Sequence, residues 1–180
     1  MKLVELDPAG VAAANAHLAR HVRESGRYGV HWIPYDPVER GTRPFLLAEA
    51  LSKATDELGW ERWIVVHNDS AETVGHAFLK GASFGYGQHR CELGMGLEQP
   101  YWRRGLGSRL LRWVVERAQA IATVDWLDLR VLGGNAPAIA LYQRFGFEET
   151  ARVPDFCRIQ GDRIAEVRMS LWVGNGNPVH

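Results

Sequence analysis

The stretch from Cys91 to Val131 restricts the fold more than any other part of the chain. Cys91–Leu97 is a short, largely apolar run that reads as a strand, and Trp126–Val131 reads as a second. Between them Leu106, Leu110, Leu111, Val114, Ala118 and Ile121 recur at helical spacing, with Arg109, Arg112 and Glu116 largely on the opposite face. Strand, helix and strand in this order cannot close as a hairpin. They close as one parallel pair joined by a right-handed crossover, and the rest of the chain must build around that unit.

Upstream, residues 8 to 24 are Ala-rich, with Leu18 and Val22 in helical spacing, and read as a first helix. Ser25–Arg43 breaks the pattern with Gly26, Gly29, Pro34, Pro37 and Gly41, interleaved with Tyr28, His31, Trp32 and Tyr35. These rings either line a site or cap the core beneath a long loop. A second helix is predicted from about Pro44 to Leu58. Trp63–Asn68 and Thr73–Ala82 form an antiparallel hairpin over Asp69–Glu72, and Ser83–Gln88 is the next turn. Gly94 and Gly96 inside the following strand predict a bulge or a close approach by another backbone. Beyond Val131, Asn135 caps a helix with Pro137 in its first turn and Gly146 at its end. Glu149–Ile159 and Ile164–Val173 make a closing hairpin around residues 160–163. The order predicts an α+β fold with a mixed sheet, its site at the mouth of the strand–helix–strand unit.

Composition narrows the function classes. Of 180 residues, 46% are hydrophobic and 23% charged, which argues for a folded globular chain. The 21 Lys and Arg balance the 21 Asp and Glu, so nothing points to nucleic acid or a membrane surface. Glu5 and Asp7 stand where a signal peptide would need an apolar run, and no stretch reaches the roughly 18 apolar residues of a membrane span. The expectation is a soluble, cytoplasmic protein. Cys91 and Cys157 form no CxxC pair, so reduced thiols are expected. His17 and His21 stand four apart but lack the intervening Glu of a zinc-protease helix and a nearby third ligand. They are read as surface histidines, and no metal is expected.

The loop Glu98–Ser108 carries the chemistry. Gly105 and Gly107 let backbone N–H groups turn inward, the helix that follows presents unpaired donors and its positive dipole end, and Arg103 and Arg104 supply charge. A pyrophosphate suits such a loop. A Walker loop needs Lys-Ser/Thr after its second glycine, where Ser108 and Arg109 stand. A dinucleotide fingerprint needs a third glycine where Leu110 stands, and a strand running directly into the first, where two arginines intervene.

The loop resembles that of the GNAT superfamily of acyl-CoA-dependent N-acyltransferases, written Arg/Gln-x-x-Gly-x-Gly/Ala. Trp102-Arg103-Arg104-Gly105-Leu106-Gly107 fits at both glycines and has Trp102 where the family prefers Arg or Gln. Leu127–Val131 followed by Asn135–Phe147 is similar to the family's second half, and Gly161–Leu171 to its last strand. The likeness covers roughly residues 60 to 173. It implies one domain over 1–173, with 1–59 as a variable acceptor side, 60–173 as the cofactor-binding core and 174–180 as a tail. It also implies a mixed, mostly antiparallel sheet with a V-shaped splay between its two central strands, flanked by helices.

By the same resemblance, Arg103, Arg104, Gly105, Leu106, Gly107 and Ser108 would bind the coenzyme A pyrophosphate, chiefly through main-chain N–H groups, with Trp102 in the contact position. Met95 and Leu97 would hold the pantetheine arm like an added strand, which gives Gly94 and Gly96 a purpose, and Asn135 would contact it from the other side. Tyr142 would be the general acid that protonates the departing thiolate; the alternative is a packed helix tyrosine. A Lys-like amine of pKa ~10.4 costs about 4–5 kcal/mol to deprotonate at pH 7, so a base is useful. Glu92 is the candidate, its alternative being an ion pair with a nearby arginine. Cys91 stands where some family members place the acid, and His89 and His31 are reserves. Tyr28, His31, Trp32, Tyr35 and Asp36 would wall the acceptor pocket, with Asp36 and Glu92 favouring a cation. The resemblance thus implies an acetyl-CoA-dependent N-acetyltransferase acting on a primary amine, with a small molecule preferred over a protein N-terminus or lysine. A module that binds acyl-CoA without turnover is the alternative, and the sequence allows a homodimer through the terminal strands.

Overall fold

The computed structural model describes residues 1–26, 45–159 and 161–175. Among these residues seven strands form one sheet in the order β1-β2-β3-β4-β5-β7-β6. They are β1 (Lys2–Glu5), β2 (Glu61–His67), β3 (Thr73–Gly81), β4 (Arg90–Leu97), β5 (Trp126–Leu132), β6 (Glu148–Ile159) and β7 (Asp162–Trp172). Among the described residues the α-helices are α1 (Val11–Arg23), α2 (Ala48–Ser52), α3 (Leu106–Gln119) and α4 (Ala136–Arg144). The expected α+β mixed sheet is present: β4 and β5 pair in parallel, and every other neighbouring pair is antiparallel. Among the described residues no helix is long and apolar enough to cross a membrane.

The β4–β5 pairing is short. Arg90, Cys91 and Glu92 face Trp126, Leu127 and Asp128, after which the two strands part although each continues for several residues. This is the V-shaped splay. One face of the sheet is sealed by α3, whose Leu106, Leu110, Leu111, Val114 and Ala118 are buried against Ala77, Leu79, Cys91 and Leu93. Their spacing is the amphipathic stripe of the sequence, and burying such side chains contributes about 1.5–3 kcal/mol each before entropy is counted. On the other face α1 packs Ala14 and Leu18 against Trp63, Val65 and Leu46.

Several expectations need correction. β1 was not foreseen, because four residues are too few to show an alternation, and it forms by pairing Leu3 with Val66 at the sheet edge. The predicted helix 44–58 shrinks to Ala48–Ser52, and Lys53 is already extended. The guanidinium of Arg62 donates to the carbonyls of Leu51 and Lys53, so a β2 side chain takes the acceptors of the helix end. His17 and His21 are buried, not on the surface. His17 Nδ1 lies 2.9 Å from Glu98 Oε1 and its Nε2 lies 3.0 Å from His76 Nδ1 of β3, partners that sequence spacing does not reveal. His21 sits over Gly96, where a Cβ would come within 2.2 Å of its Nε2, and Phe78 covers Gly94 in the same way. A ring on the α1 side thus fills the space beside each glycine, and the β3–β4 pairing runs through both without the expected bulge.

Candidate active site

The splay opens a row of backbone groups. Glu98 N–H donates to Val74 O, which fixes the antiparallel phase: the even-numbered residues of β4 bond β3, and the odd-numbered ones point toward β5. Met95 and Leu97 lie beyond the last β4–β5 pair, so their main chain faces the gap. Leu97 O already accepts the indole N–H of Trp102 at 2.7 Å. The residue that departs from the family pattern thus ties the loop back onto the strand.

That loop winds directly into α3. Arg103 and Gly105 both take left-handed backbone, at φ 57° and 74°, and at Gly105 only glycine does so freely. Gly105 caps α3 with no side-chain hydrogen bond, and Arg109 N–H is bonded to Gly105 O. The N–H groups of Leu106, Gly107 and Ser108 fall in the first turn, where the helix supplies no acceptors and its dipole is positive. Arg104 lies over the Tyr101 ring at 5.5 Å. Loop, open strand and helix end together fit a pyrophosphate with an extended arm.

Tyr142 is carried on α4, whose Asn135 cap accepts from Ala138 N–H, as its sequence foretold. The Asn135 carbonyl oxygen is used by the helix, while its amide nitrogen has no hydrogen bond among the described residues. Tyr142 is buried, packs on Phe147 at 5.8 Å between ring centroids, and is pushed up to about 12 by burial. It is protonated at any physiological pH. Leu141 beside it would touch a Cβ on Gly107, which brings α4 against the start of α3.

The face of the sheet opposite α3 is polar between β3 and β7. Register places Lys80 beside Glu92, Glu92 beside Asp128, Asp128 beside Ser170, and Arg130 beside Arg168. They line a cavity of about 560 Å³, together with Arg90, Thr150 and Phe84. Arg90 grips both oxygens of Asp128 at 2.6 and 2.7 Å, and Ser170 donates to the same carboxylate. Glu92 receives Arg130 Nε and Nη2 on its Oε1, at 3.2 and 2.9 Å, so the ion-pair alternative for Glu92 is present. That hydrogen bond raises Arg130 further and keeps it charged. Cys91 faces the core, with burial pushing its thiol up to about 12, which makes it inert as a nucleophile. His89 is exposed ahead of β4, apart from the cavity lining. Tyr28, His31, Trp32, Tyr35 and Asp36 lie outside the described residues. Asp128, Arg130 and Arg168 were not singled out in the sequence, although charges at alternate positions of two inner strands signal a polar face.

Comparison with known proteins bears on this geometry. The model of the Acetyltransferase (GNAT) family matches residues 28–147. The chain belongs to that family. An L-amino acid N-acetyltransferase, AaaT of Escherichia coli (strain K12), is 31% identical over 77 residues, which cover 43% of this chain and 48% of the relative. The match thus spans about half the length of that curated relative. A GNAT acetyltransferase from Streptococcus pneumoniae superposes with a TM-score of 0.79 at 21% identity, over 96% of this chain and all of the other. YncA of Salmonella typhimurium, solved with acetyl-CoA, gives 0.73 at 18% identity, over 100% and 98% of the two chains. These structures share the GNAT fold with this chain.

Proposed function

We propose that this protein transfers an acetyl group from acetyl-CoA to the primary amine of a small molecule, within one acetyltransferase domain spanning residues 1–173. The observation that carries the reading is the junction of the open β4 edge with the left-handed loop and free first turn of α3. Backbone N–H groups of residues 103–108 would take the pyrophosphate, and Met95 N–H and O with Leu97 N–H would pair with the amides of the pantetheine arm. Family membership supports the reaction class, and the name of the Escherichia coli relative supports a small acceptor.

The acceptor arrives as an ammonium and must lose a proton. Glu92 would take it. The amine lone pair then forms the N–C bond at the thioester carbonyl, the C–S bond breaks, and Tyr142 gives its proton to the leaving thiolate. Bulk water restores that proton from the nitrogen of the new amide, so one proton is released per turnover. With its pKa raised, the phenol is a weak acid toward a thiolate of pKa ~8.5, and its value rests on position.

The test is incubation with acetyl-CoA and a panel of amines, following free thiol and acetylated product by mass spectrometry. Stoichiometric thiol and N-acetyl product are expected; thiol release without acetylated amine, or none at all, overturns the proposal. The Arg130 grip on Glu92 is the one feature favouring a module that binds acyl-CoA without turnover, and that module would bind acetyl-CoA and release no thiol.

A further inference from the structure

Resting on that reading, the rings beside the open strand bear on the donor. We infer that Phe78 sets the length of the acyl group, admitting acetyl and turning away longer chains. Three observations put its ring where the acyl group must go.

The first is where the gap ends. The arm enters from the loop after residue 98 and runs back along β4, pairing with Leu97 and then Met95. Beyond its last amide, two methylenes and the sulfur span about one to two residues of extended strand at ~3.3 Å each. That brings the thioester alongside Gly94 and Leu93. It goes no further in the plane of the sheet, because at Glu92 and Asp128 the two strands are already joined.

The second is which face is open. Side chains alternate along a strand. Leu93, Leu127, Leu129 and Tyr142 are buried in the core cluster that α3 seals, so that face is closed. On the other face Gly94 carries no side chain, and Glu92, proposed to take the acceptor's proton, stands two residues along. The acyl group therefore turns out of the sheet at Gly94.

The third is what stands there. Register sets Trp63, Phe78 and Gly94 in one row across β2, β3 and β4. A Cβ on Gly94 would collide with Cζ and Cε1 of Phe78, so the ring leans over the glycine toward the gap. It is half-buried, and it is held. Trp63 stacks on it at 4.6 Å between centroids and 27° between planes, and His76 flanks it nearly parallel, at 6.5 Å and 7°. The indole is itself tied by its N–H to Glu61 Oε2 at 2.8 Å. An acetyl methyl ends beside this ring, whereas further methylenes run into a wall that retreats only by breaking the stack.

The experiment needs no acceptor. Coenzyme A, acetyl-CoA and butyryl-CoA are titrated calorimetrically into the wild type, Phe78→Ala and Phe78→Leu, with circular dichroism to check that each variant is folded. In the wild type butyryl-CoA is expected to bind about tenfold or more weakly than acetyl-CoA, since one methylene in an apolar pocket is worth about tenfold or more. In Phe78→Ala that ratio should fall toward one, because butyryl-CoA gains affinity relative to coenzyme A, which has no acyl group. Phe78→Leu keeps an apolar contact for Trp63 and should lower the ratio by a smaller amount; it decides the matter if the alanine variant does not fold. Equal affinity for the two thioesters in the wild type, or an unchanged ratio in the folded variants, overturns the inference. A wild-type protein that binds neither coenzyme A nor its thioesters instead overturns the proposed function itself.

Discussion

Lowering the pH from 8 to 5 should destabilise this protein through three buried histidines, two of which sequence reading placed on the surface. His17, His21 and His76 meet between α1 and β3, with ring centroids 5.2–5.8 Å apart. Burial holds His21 down to about 3 and His76 well below its ordinary value. His17 is also lowered, burial outweighing the opposing pull of Glu98, and Arg20 adds to the lowering. His21 and His76 are neutral in the folded protein over this range, and all three titrate near 6.5 once it unfolds. The unfolded chain therefore binds more protons below pH 6.5. The associated stability is complete above that pH and drains away as pH falls from 6.5 toward the folded values. At about 1.36 kcal/mol per pH unit, His21 alone accounts for about 2 kcal/mol of loss by about pH 5, and His76 acts in the same direction. That is a large share of a typical total of about 5–15 kcal/mol. Urea unfolding at pH 8, 7, 6 and 5 measures it, and the window lies above the range in which ordinary carboxylates titrate. A midpoint that stays constant, or rises, as pH falls from 7 to 5 refutes neutral burial of the cluster.

The remaining predictions concern single side chains. Tyr142→Phe should lower kcat by about 10²-fold, the usual scale for losing a positioned acid, and steady-state thiol release reads it; an unchanged kcat would assign the leaving-group proton elsewhere. Leu110→Ala empties a fully buried site on α3 and should cost about 2–5 kcal/mol in chemical denaturation; a loss under about 1 kcal/mol would mean that α3 does not seal the sheet as described.

The parts of the fold that were legible in sequence are those whose signal is local. The stripe Leu106–Ala118, the cap at Asn135 and the turn at Gly146, with φ 90°, each carry their own instruction within a few residues. The glycine loop belongs with them. What was not legible depends on partners distant in sequence. The end of α2 is set by Arg62, the burial of His17 by His76 and Glu98, and the pairing of Glu92 by Arg130, 38 residues away. Register across the sheet decides which charges meet, and register is not written in any one strand. Gly96 illustrates the limit: its oddity was visible, yet the ring that fills the gap comes from α1.

The central claim is that the loop before α3 receives acetyl-CoA. Calorimetric titration of acetyl-CoA into the wild type and a Gly105→Val, Gly107→Val double variant tests it most directly. Valine at 105 is strained by the positive φ, and a Cβ at 107 meets Leu141 at 3.3 Å. Binding on the order of micromolar to the wild type, lost in a variant whose circular dichroism shows it still folded, is the predicted result. No heat of binding to the wild type, or equal affinity in the two proteins, contradicts the account.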